Sequence, residues 1–179
     1  ATAVLISYTG PDVPAEPLLN AAQTYAQRAL SLDPSLAEGH AVLASVLEER
    51  WQWQAADAEF RRAIVLDPSD STSQQWYSEF LARMGRFRAA DEHIQRALAL
   101  DPLSPVISVS ASATVQAARG DDAAAVELAR RAANLGMKDR AADILAVIHL
   151  AAGDVRSARA VVPDGSLEAS VIDALLDPG

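Results

Sequence analysis

One seven-residue pattern recurs along the chain at a constant interval of 34 residues. It reads RALSLDP at residues 28–34, RAIVLDP at 62–68 and RALALDP at 96–102. Upstream of each copy, small or apolar residues recur four and three residues apart, a spacing that places them on one face of a helix. These sets are Ala22, Ala26 and Ala29; Ala56, Phe60 and Ala63; and Ala90, Ile94 and Ala97. A fixed period of this length is typical of a protein built from stacked repeats.

Each copy contains two segments with helical patterning. In the second copy, Ser35 and Glu38 have the spacing of a capping box and predict a helix that runs to about Arg50, followed by a second helix over residues 54–66. Half of the residues are hydrophobic but only 5% are aromatic, and Ala and Leu are good helix formers. We therefore predict an all-α fold.

These features resemble the tetratricopeptide repeat family, whose 34-residue unit is a helix-turn-helix with small residues where its helices touch and a proline at its end. The best matches are the second copy, with Leu43, Ala44, Leu47, Ala56, Phe60, Ala63 and Pro68, and the third, with Tyr77, Leu81, Gly85, Ala90, Ala97 and Pro102. The resemblance implies a right-handed superhelical solenoid of antiparallel helix pairs. It also implies about four to five repeats and a C-terminal capping helix.

The repeat register divides a single predicted domain, 1–179, into units. These are a degenerate first repeat at 1–34, repeats at 35–68, 69–102 and 103–137, a truncated fifth repeat at 138–163, and a capping helix at 166–176. The first repeat is called degenerate because Pro11, Pro14 and Pro17 interrupt its first helix, so that only a second helix at about 15–32 is expected.

The capping helix is amphipathic, with Ser166 as its predicted N-cap. We expect its apolar side to cover the last repeat. That side carries Leu167, Val171, Ala174 and Leu175.

Tetratricopeptide repeats are interaction modules, so the resemblance implies a non-catalytic scaffold that binds a peptide or a helix in a concave groove. The groove is lined by the first helix of each unit. Its predicted contact residues are Glu38, Ser45, Glu48, Glu49, Gln75, Glu79, Arg83 and Ser110. Because one end is acidic and the net charge is −9, we expect a basic protein partner and no direct contact with nucleic acid. The alternative is a solvated helix face that binds nothing.

Trp51 and Trp53 separate in this register. Trp53 lies 34 residues before Phe87, in an aromatic position after the turn, and is predicted to pack between the two helices of its unit. Trp51 aligns with the turn glycines Gly85, Gly120 and Gly153. A tryptophan cannot adopt the left-handed glycine conformation without strain, so we expect the helix before it to end differently. Trp51 is therefore a candidate contact for a partner or an oligomer.

Catalysis and metal binding find little support in the sequence. The three histidines, His40, His93 and His149, lie in different units and are expected to be hydrogen-bonded structural residues. No cysteine is present, which excludes thiolate metal ligands, and no glycine-rich phosphate loop occurs. We predict no cofactor, no membrane span and a cytoplasmic location.

Three interaction functions remain open. The second and third copies resemble repeats found C-terminal to bacterial winged-helix regulators and nucleotide cyclases, and the first residue is Ala1 rather than Met. The leading expectation is therefore the regulatory or scaffold part of a larger bacterial protein. The alternatives are a stand-alone adaptor that self-associates as a homo-oligomer and a sensor that binds a small ligand.

Overall fold

The structure is a computed structural model that describes residues 15–164 and 167–176. Within these ranges the chain forms ten α-helices and no β-strand, which confirms the predicted fold class. The helices are α1 (Ala15–Leu32), α2 (Ala37–Glu49), α3 (Trp53–Leu66), α4 (Ser71–Arg83), α5 (Phe87–Leu100), α6 (Pro105–Arg119), α7 (Asp122–Asn134), α8 (Lys138–Ala151), α9 (Val155–Val161) and α10 (Leu167–Leu176). None of these ten helices is long and apolar enough to cross a membrane.

The chain divides into two compact units, residues 1–80 and 81–179, and the division falls inside α4. In the first unit, α1 packs on α2 and α2 packs on α3. Its core contains Leu19, Ala22, Ala26, Val42 and Val46.

The α3 helix buries the predicted set Ala56, Phe60 and Ala63 completely. The ring centroid of Phe60 lies 5.6 Å from that of Tyr77 and 5.4 Å from that of Phe80. Aromatic pairs at these separations stabilise a core beyond their buried area. The helical register read from the repeat is therefore confirmed at this contact.

The second unit is built from consecutive helix pairs with small residues at their contacts. The α5–α6 pair is held by Ile94, Ala97, Ile107 and Ala111, and the α6, α7 and α8 helices meet at Val109, Ala132 and Ala141. Alanines let helix axes approach closely, so short side chains are sufficient to exclude water there.

Two helix N-termini differ in how they are capped, and the one predicted at Ser35 is not observed. Ser35 does not cap α2, since the N-cap residue is Leu36 and the Ser35 hydroxyl instead donates to Asp33 Oδ1 at 2.6 Å. Because α2 begins at Ala37, Ser35 lies one residue before the N-cap position and does not supply the capping acceptor. By contrast, Asp121, which follows Gly120, accepts from the Ala124 N–H at 3.0 Å and caps α7.

The last helix presents a different face from the one predicted. Ala169 and Ile172 are buried, whereas Val171, Ala174 and Leu175 are exposed. Ala169 and Ile172 form a core cluster with Ala158 and Val162, and the Arg159 guanidinium lies 2.7 Å from Asp173 Oδ1, next to Ile172. Ser166, Gly165, Pro11 and Pro14 lie outside the described residues, and the side chain of Leu167 is likewise not described.

The turn between α2 and α3 also departs from expectation. Trp51 adopts a left-handed conformation with φ of 61°, close to the φ of Gly85 at 70° and Gly153 at 77°. Its N–H donates to Glu48 O at 2.8 Å, and the Gln52 N–H donates to Leu47 O at 2.9 Å. This pair of bonds is the Schellman motif. The helix before Trp51 therefore ends in the same way as the helices that precede glycine.

Candidate functional site

The first unit contains a cavity of about 570 Å³ at the N-terminal ends of α2 and α4. The α2 side is lined by Asp33, Ser35, Leu36, Ala37, Glu38 and Ala41, and the α4 side by Leu66, Asp67, Asp70, Thr72, Ser73 and Trp76. Its volume lies within the range of ligand pockets. Four of these residues are acidic and none is basic, so the cavity is electronegative.

Three of its carboxylates are fixed by short-range hydrogen bonds. Asp33 Oδ1 accepts from the N–H and hydroxyl of Ser35, and Asp67 Oδ1 accepts in the same way from Ser69 at 2.9 and 2.6 Å. Asp70 accepts from the N–H groups of the first turn of α4. Hydrogen bonds to the serine hydroxyls hold the pKa of Asp33 and of Asp67 below the ordinary aspartate value, and the backbone N–H groups add to this effect. These two groups therefore stay ionised at neutral pH.

The same cavity has an apolar wall. Trp76 is half-buried and packs against the core of the first unit, and Leu36 and Leu66 are also half-buried. Trp76 was not among the residues predicted from the sequence, because the repeat register aligns it with the buried Val42. The indole is much longer than a valine side chain. This difference in size was the sequence signal that Trp76 extends beyond the core.

Only some predicted groove residues lie where they could meet a partner. Glu38 is exposed and lines the cavity, and Glu49 is exposed on the same helix but does not line it. Ser45 is half-buried and its hydroxyl donates to Ala41 O at 3.2 Å. In the second unit, Arg83 is exposed and Ser110 is half-buried.

Two of the predicted groove residues are buried. Glu48 and Gln75 are each 6% exposed, and the Gln75 amide donates to the half-buried Glu79 at 3.1 Å. The expectation of an accessible Glu48 is therefore wrong. Position 48 lies one residue away from the exposed Glu49, and a step of one residue turns a helix face by about 100°.

His40 and His93 have different environments. His40 Nδ1 lies 2.6 Å from Glu59 Oε2, and its Nε2 lies 3.0 Å from Pro34 O, as expected for a hydrogen-bonded structural residue. Burial is the main cause that lowers the pKa of His93, with the positive charge of Arg96 next. Within the described ranges, no cluster of acidic residues and histidines could hold a metal ion.

The two tryptophans of the α2–α3 turn have different environments. Trp51 is 76% exposed, whereas Trp53 is half-buried at the start of α3. Their ring centroids are 5.6 Å apart with an interplanar angle of 53°. The ring of Trp51 therefore rests on Trp53 and leaves most of its own surface to solvent.

Comparisons with known proteins identify the fold. No protein-family model and no curated protein matches the chain. Among solved structures, a thermophilic TPR protein of Thermus thermophilus is similar at 20% identity, with a TM-score of 0.73 over 90% of this chain and 93% of that chain. PilW, described as a widely conserved type IV pilus biogenesis factor, matches at 18% identity and a TM-score of 0.74, over 92% of this chain and 87% of its own.

A third solved structure is also similar to the chain. YrrB, described as a TPR protein with an unusual peptide-binding site, is 16% identical, with a TM-score of 0.64 over 87% of this chain and 84% of that chain. These likenesses extend over most of the chain and agree with the paired helices that the 34-residue period predicts. The chain therefore has the tetratricopeptide-repeat fold.

Proposed function

We propose that the chain is a protein-interaction module whose first unit binds a segment that carries basic and apolar side chains. The observation that carries this proposal is the cavity at the starts of α2 and α4, with four carboxylates and a half-buried indole among its lining residues. The peptide-binding site of YrrB is a precedent for peptide recognition on this fold. We define the partner by its chemistry, as a segment that carries basic and apolar side chains.

The residues that line the cavity favour a partner with basic and apolar side chains. A lysine or arginine side chain has a long apolar stem and a charged head, so the stem can lie on Trp76 while the head meets Asp33, Asp67 or Glu38. An indole face also attracts a cation directly. An acidic segment would instead face like charges. Exposed carboxylates contribute more to association rate and orientation than to affinity.

Charge reversal at Glu38 tests the proposal. Glu38 lines the cavity and is exposed, so Glu38→Lys should leave the fold intact while it places a positive charge beside the bound segment. The probe is a synthetic ten-residue peptide of alternating lysine and leucine, titrated by calorimetry at about 0.15 M ionic strength, where charges are screened beyond about 8 Å. We expect Glu38→Lys to weaken binding by about fivefold or more, a change near 1 kcal/mol.

The matched control is Glu49→Lys, which makes the same charge change on the same helix outside the cavity. It should weaken binding much less, because a general loss of negative charge acts weakly over that separation in salt. Equal weakening by the two variants would show only non-specific attraction to an acidic chain. Tighter binding of a glutamate-leucine peptide than of the lysine peptide would reverse the proposed chemistry.

A further inference from the structure

The connection between α4 and α5 contains the densest group of positive charges in the chain. Residues 83–88 read RMGRFR and contain three of the 15 basic residues of a chain whose net charge is −9. No other window of six residues in the sequence contains three. Helix α4 ends at Arg83, and α5 begins at Phe87. We call residues 83–88 the basic turn.

The side chains of the basic turn are open to solvent. Arg83, Arg86 and Arg88 are exposed, and Phe87 is 41% exposed. An ion pair joins Arg88 to Glu92 at 3.7 Å, with the two side chains 96% and 63% exposed. Exposed pairs of this kind contribute little to stability. Arg88 can therefore exchange Glu92 for a carboxylate of another molecule.

The basic turn has the chemistry that the cavity in the first unit favours. That cavity, called the acidic cavity below, is lined by the carboxylates of Asp33, Glu38, Asp67 and Asp70 and by the half-buried Trp76. The basic turn offers arginines to such carboxylates and a phenylalanine ring to such an apolar wall. Arginine also pairs with carboxylates through two parallel hydrogen bonds and stacks on aromatic rings. The two surfaces are therefore complementary in charge and in polarity.

The two surfaces lie on different parts of the chain. The acidic cavity belongs to the first unit and the basic turn to the second, and they share no residue. A contact that joined them between two copies would be heterologous, since each copy would use a different surface. Such a contact leaves one cavity and one basic turn unoccupied at the ends of an assembly. It therefore repeats from copy to copy, in a ring or in an open filament.

The net charge of −9 opposes self-association at long range. At about 0.15 M ionic strength, however, charges are screened beyond about 8 Å. Arginines and carboxylates in contact are closer than this, so their attraction persists while the repulsion between the remaining charges is reduced. One turn in one cavity makes a small interface, which is typical of transient association.

We propose that the acidic cavity of one copy binds the basic turn of a second copy. Phe87 of the second copy packs on the apolar wall, and its Arg86 and Arg88 face the carboxylates. This inference rests on the proposed function, because it names a second copy of the chain as a partner with basic and apolar side chains.

Sedimentation velocity of the whole chain over a series of protein concentrations tests the proposal. We expect the weight-average sedimentation coefficient of the wild type to rise with concentration. Glu38→Lys alters the cavity, and Arg86→Gln combined with Arg88→Gln alters the turn. The double variant should keep its fold, because α3 has Gln52 and Gln54 at the equivalent positions, 34 residues earlier. Each should self-associate at least about fivefold more weakly, since charges in contact across the interface are lost or opposed.

The matched control is Arg96→Gln combined with Arg130→Gln, which removes two exposed charges outside the basic turn. It should self-associate as the wild type does. An equimolar mixture of the cavity variant and the turn variant should form dimers that grow no further, because each supplies one intact surface. Higher oligomers in this mixture would contradict a heterologous contact.

Two results would overturn the proposal directly. One is a wild type that stays monomeric at every concentration, and the other is equal self-association by the wild type and the turn variant. If a monomeric wild type still binds the lysine-leucine peptide and Glu38→Lys weakens that binding, self-docking is wrong and the proposed function stands. Failure to bind the peptide would contradict the proposed function itself.

Discussion

The turns at Trp51 and Gly153 have nearly the same backbone but are built from different residues. The N–H of Trp51 donates to Glu48 O at 2.8 Å, and that of Gly153 donates to Leu150 O at 3.0 Å. At Gly153 the conformation is unstrained, and the next residue, Asp154, caps α9 by accepting from the Ser157 N–H at 3.0 Å. At Trp51 the left-handed residue has a Cβ, and Gln52 provides no side-chain cap.

Comparison of the two turns distinguishes the features that a turn requires for folding from the side chains that it does not require. The hydrogen bonds of the Schellman motif satisfy the last carbonyls of the helix whichever residue stands at the left-handed position. The Gly153 turn uses residues that favour this geometry, whereas the Trp51 turn relies on the surrounding helices to impose it. The Trp51 turn therefore carries a large, exposed side chain that the turn geometry does not require.

The largest effect on stability is expected at a buried alanine that follows both turns. Ala56 and Ala158 each lie five residues after the left-handed residue and are fully buried. Replacing either by leucine should lower the free energy of unfolding by about 1–3 kcal/mol, because the added volume forces the helices apart. Urea unfolding followed by circular dichroism measures this loss. An unchanged midpoint for Ala56→Leu would contradict the close helix contact described for the first unit.

Gly153→Trp places a tryptophan at the left-handed position of the second turn, as Trp51 does in the first. No atom lies within 4 Å of a Cβ added at Gly153, so the substitution introduces backbone strain without a clash at Cβ. We expect a loss of about 1–2 kcal/mol in the free energy of unfolding. Gly153→Ala is the matched control, since it has the same backbone strain without the indole. A clear gain in stability for Gly153→Trp would show that tryptophan is favoured at this turn for structural reasons.

The two turns also differ in how their stability depends on acid pH, and this effect is smaller than the two above. The hydrogen bonds from Ser157 hold the pKa of Asp154 below the ordinary aspartate value. Since the folded-state pKa is lowered, its stabilisation is fully present above the unfolded-state pKa of about 4 and is lost as the pH falls through the lowered value. Asp154→Asn keeps a capping acceptor but does not titrate, so its melting temperature should fall less than that of the wild type between about pH 5 and pH 3, a range set by the carboxylate pKa.

A parallel loss of melting temperature in the wild type and Asp154→Asn would assign the acid sensitivity to other carboxylates. Asp33 and Asp67 are the natural comparison, because the pKa of each is also lowered by a neighbouring serine.

The smallest effect on stability is expected at Trp51 itself. Trp51→Gly removes the strain but also the contact with Trp53 and adds freedom to the unfolded chain, so the net change should lie within about 1 kcal/mol. Trp51→Ala loses the contact and keeps the strain. We therefore expect the glycine variant to melt above the alanine variant, the reverse of the order in a helix interior. If alanine were the more stable, the left-handed conformation at position 51 would be contradicted.

Much of the fold was predictable because the repeat is defined by the spacing of residues close together in the sequence. The sets around Phe60 and Ile94 recur at helical intervals, and both are buried as predicted. Such small-residue positions can be read without coordinates, since a helix of fixed pitch places residues three and four apart on one face. The helix over Ala15–Leu32 was predicted by the same reasoning.

The candidate site was less predictable. Glu38 was expected to meet a partner and lines the cavity, but Glu48 is buried and Trp76 was overlooked. A repeat alignment assigns a face to each position, and it does not say how far a large side chain reaches or which carboxylate a neighbouring helix covers. These outcomes depend on packing between helices distant in sequence.

The sequence by itself determined the helical pairing, the small residues at the helix contacts and the position of each turn, because all of these follow from periods of a few residues and a repeat of 34. Tertiary structure decided three further features. It imposed the left-handed conformation on Trp51, turned α10 so that Ile172 rather than Val171 is buried, and assembled the acidic cavity. Each depends on contacts between elements, whose free energies outweigh a local residue preference of about 1 kcal/mol.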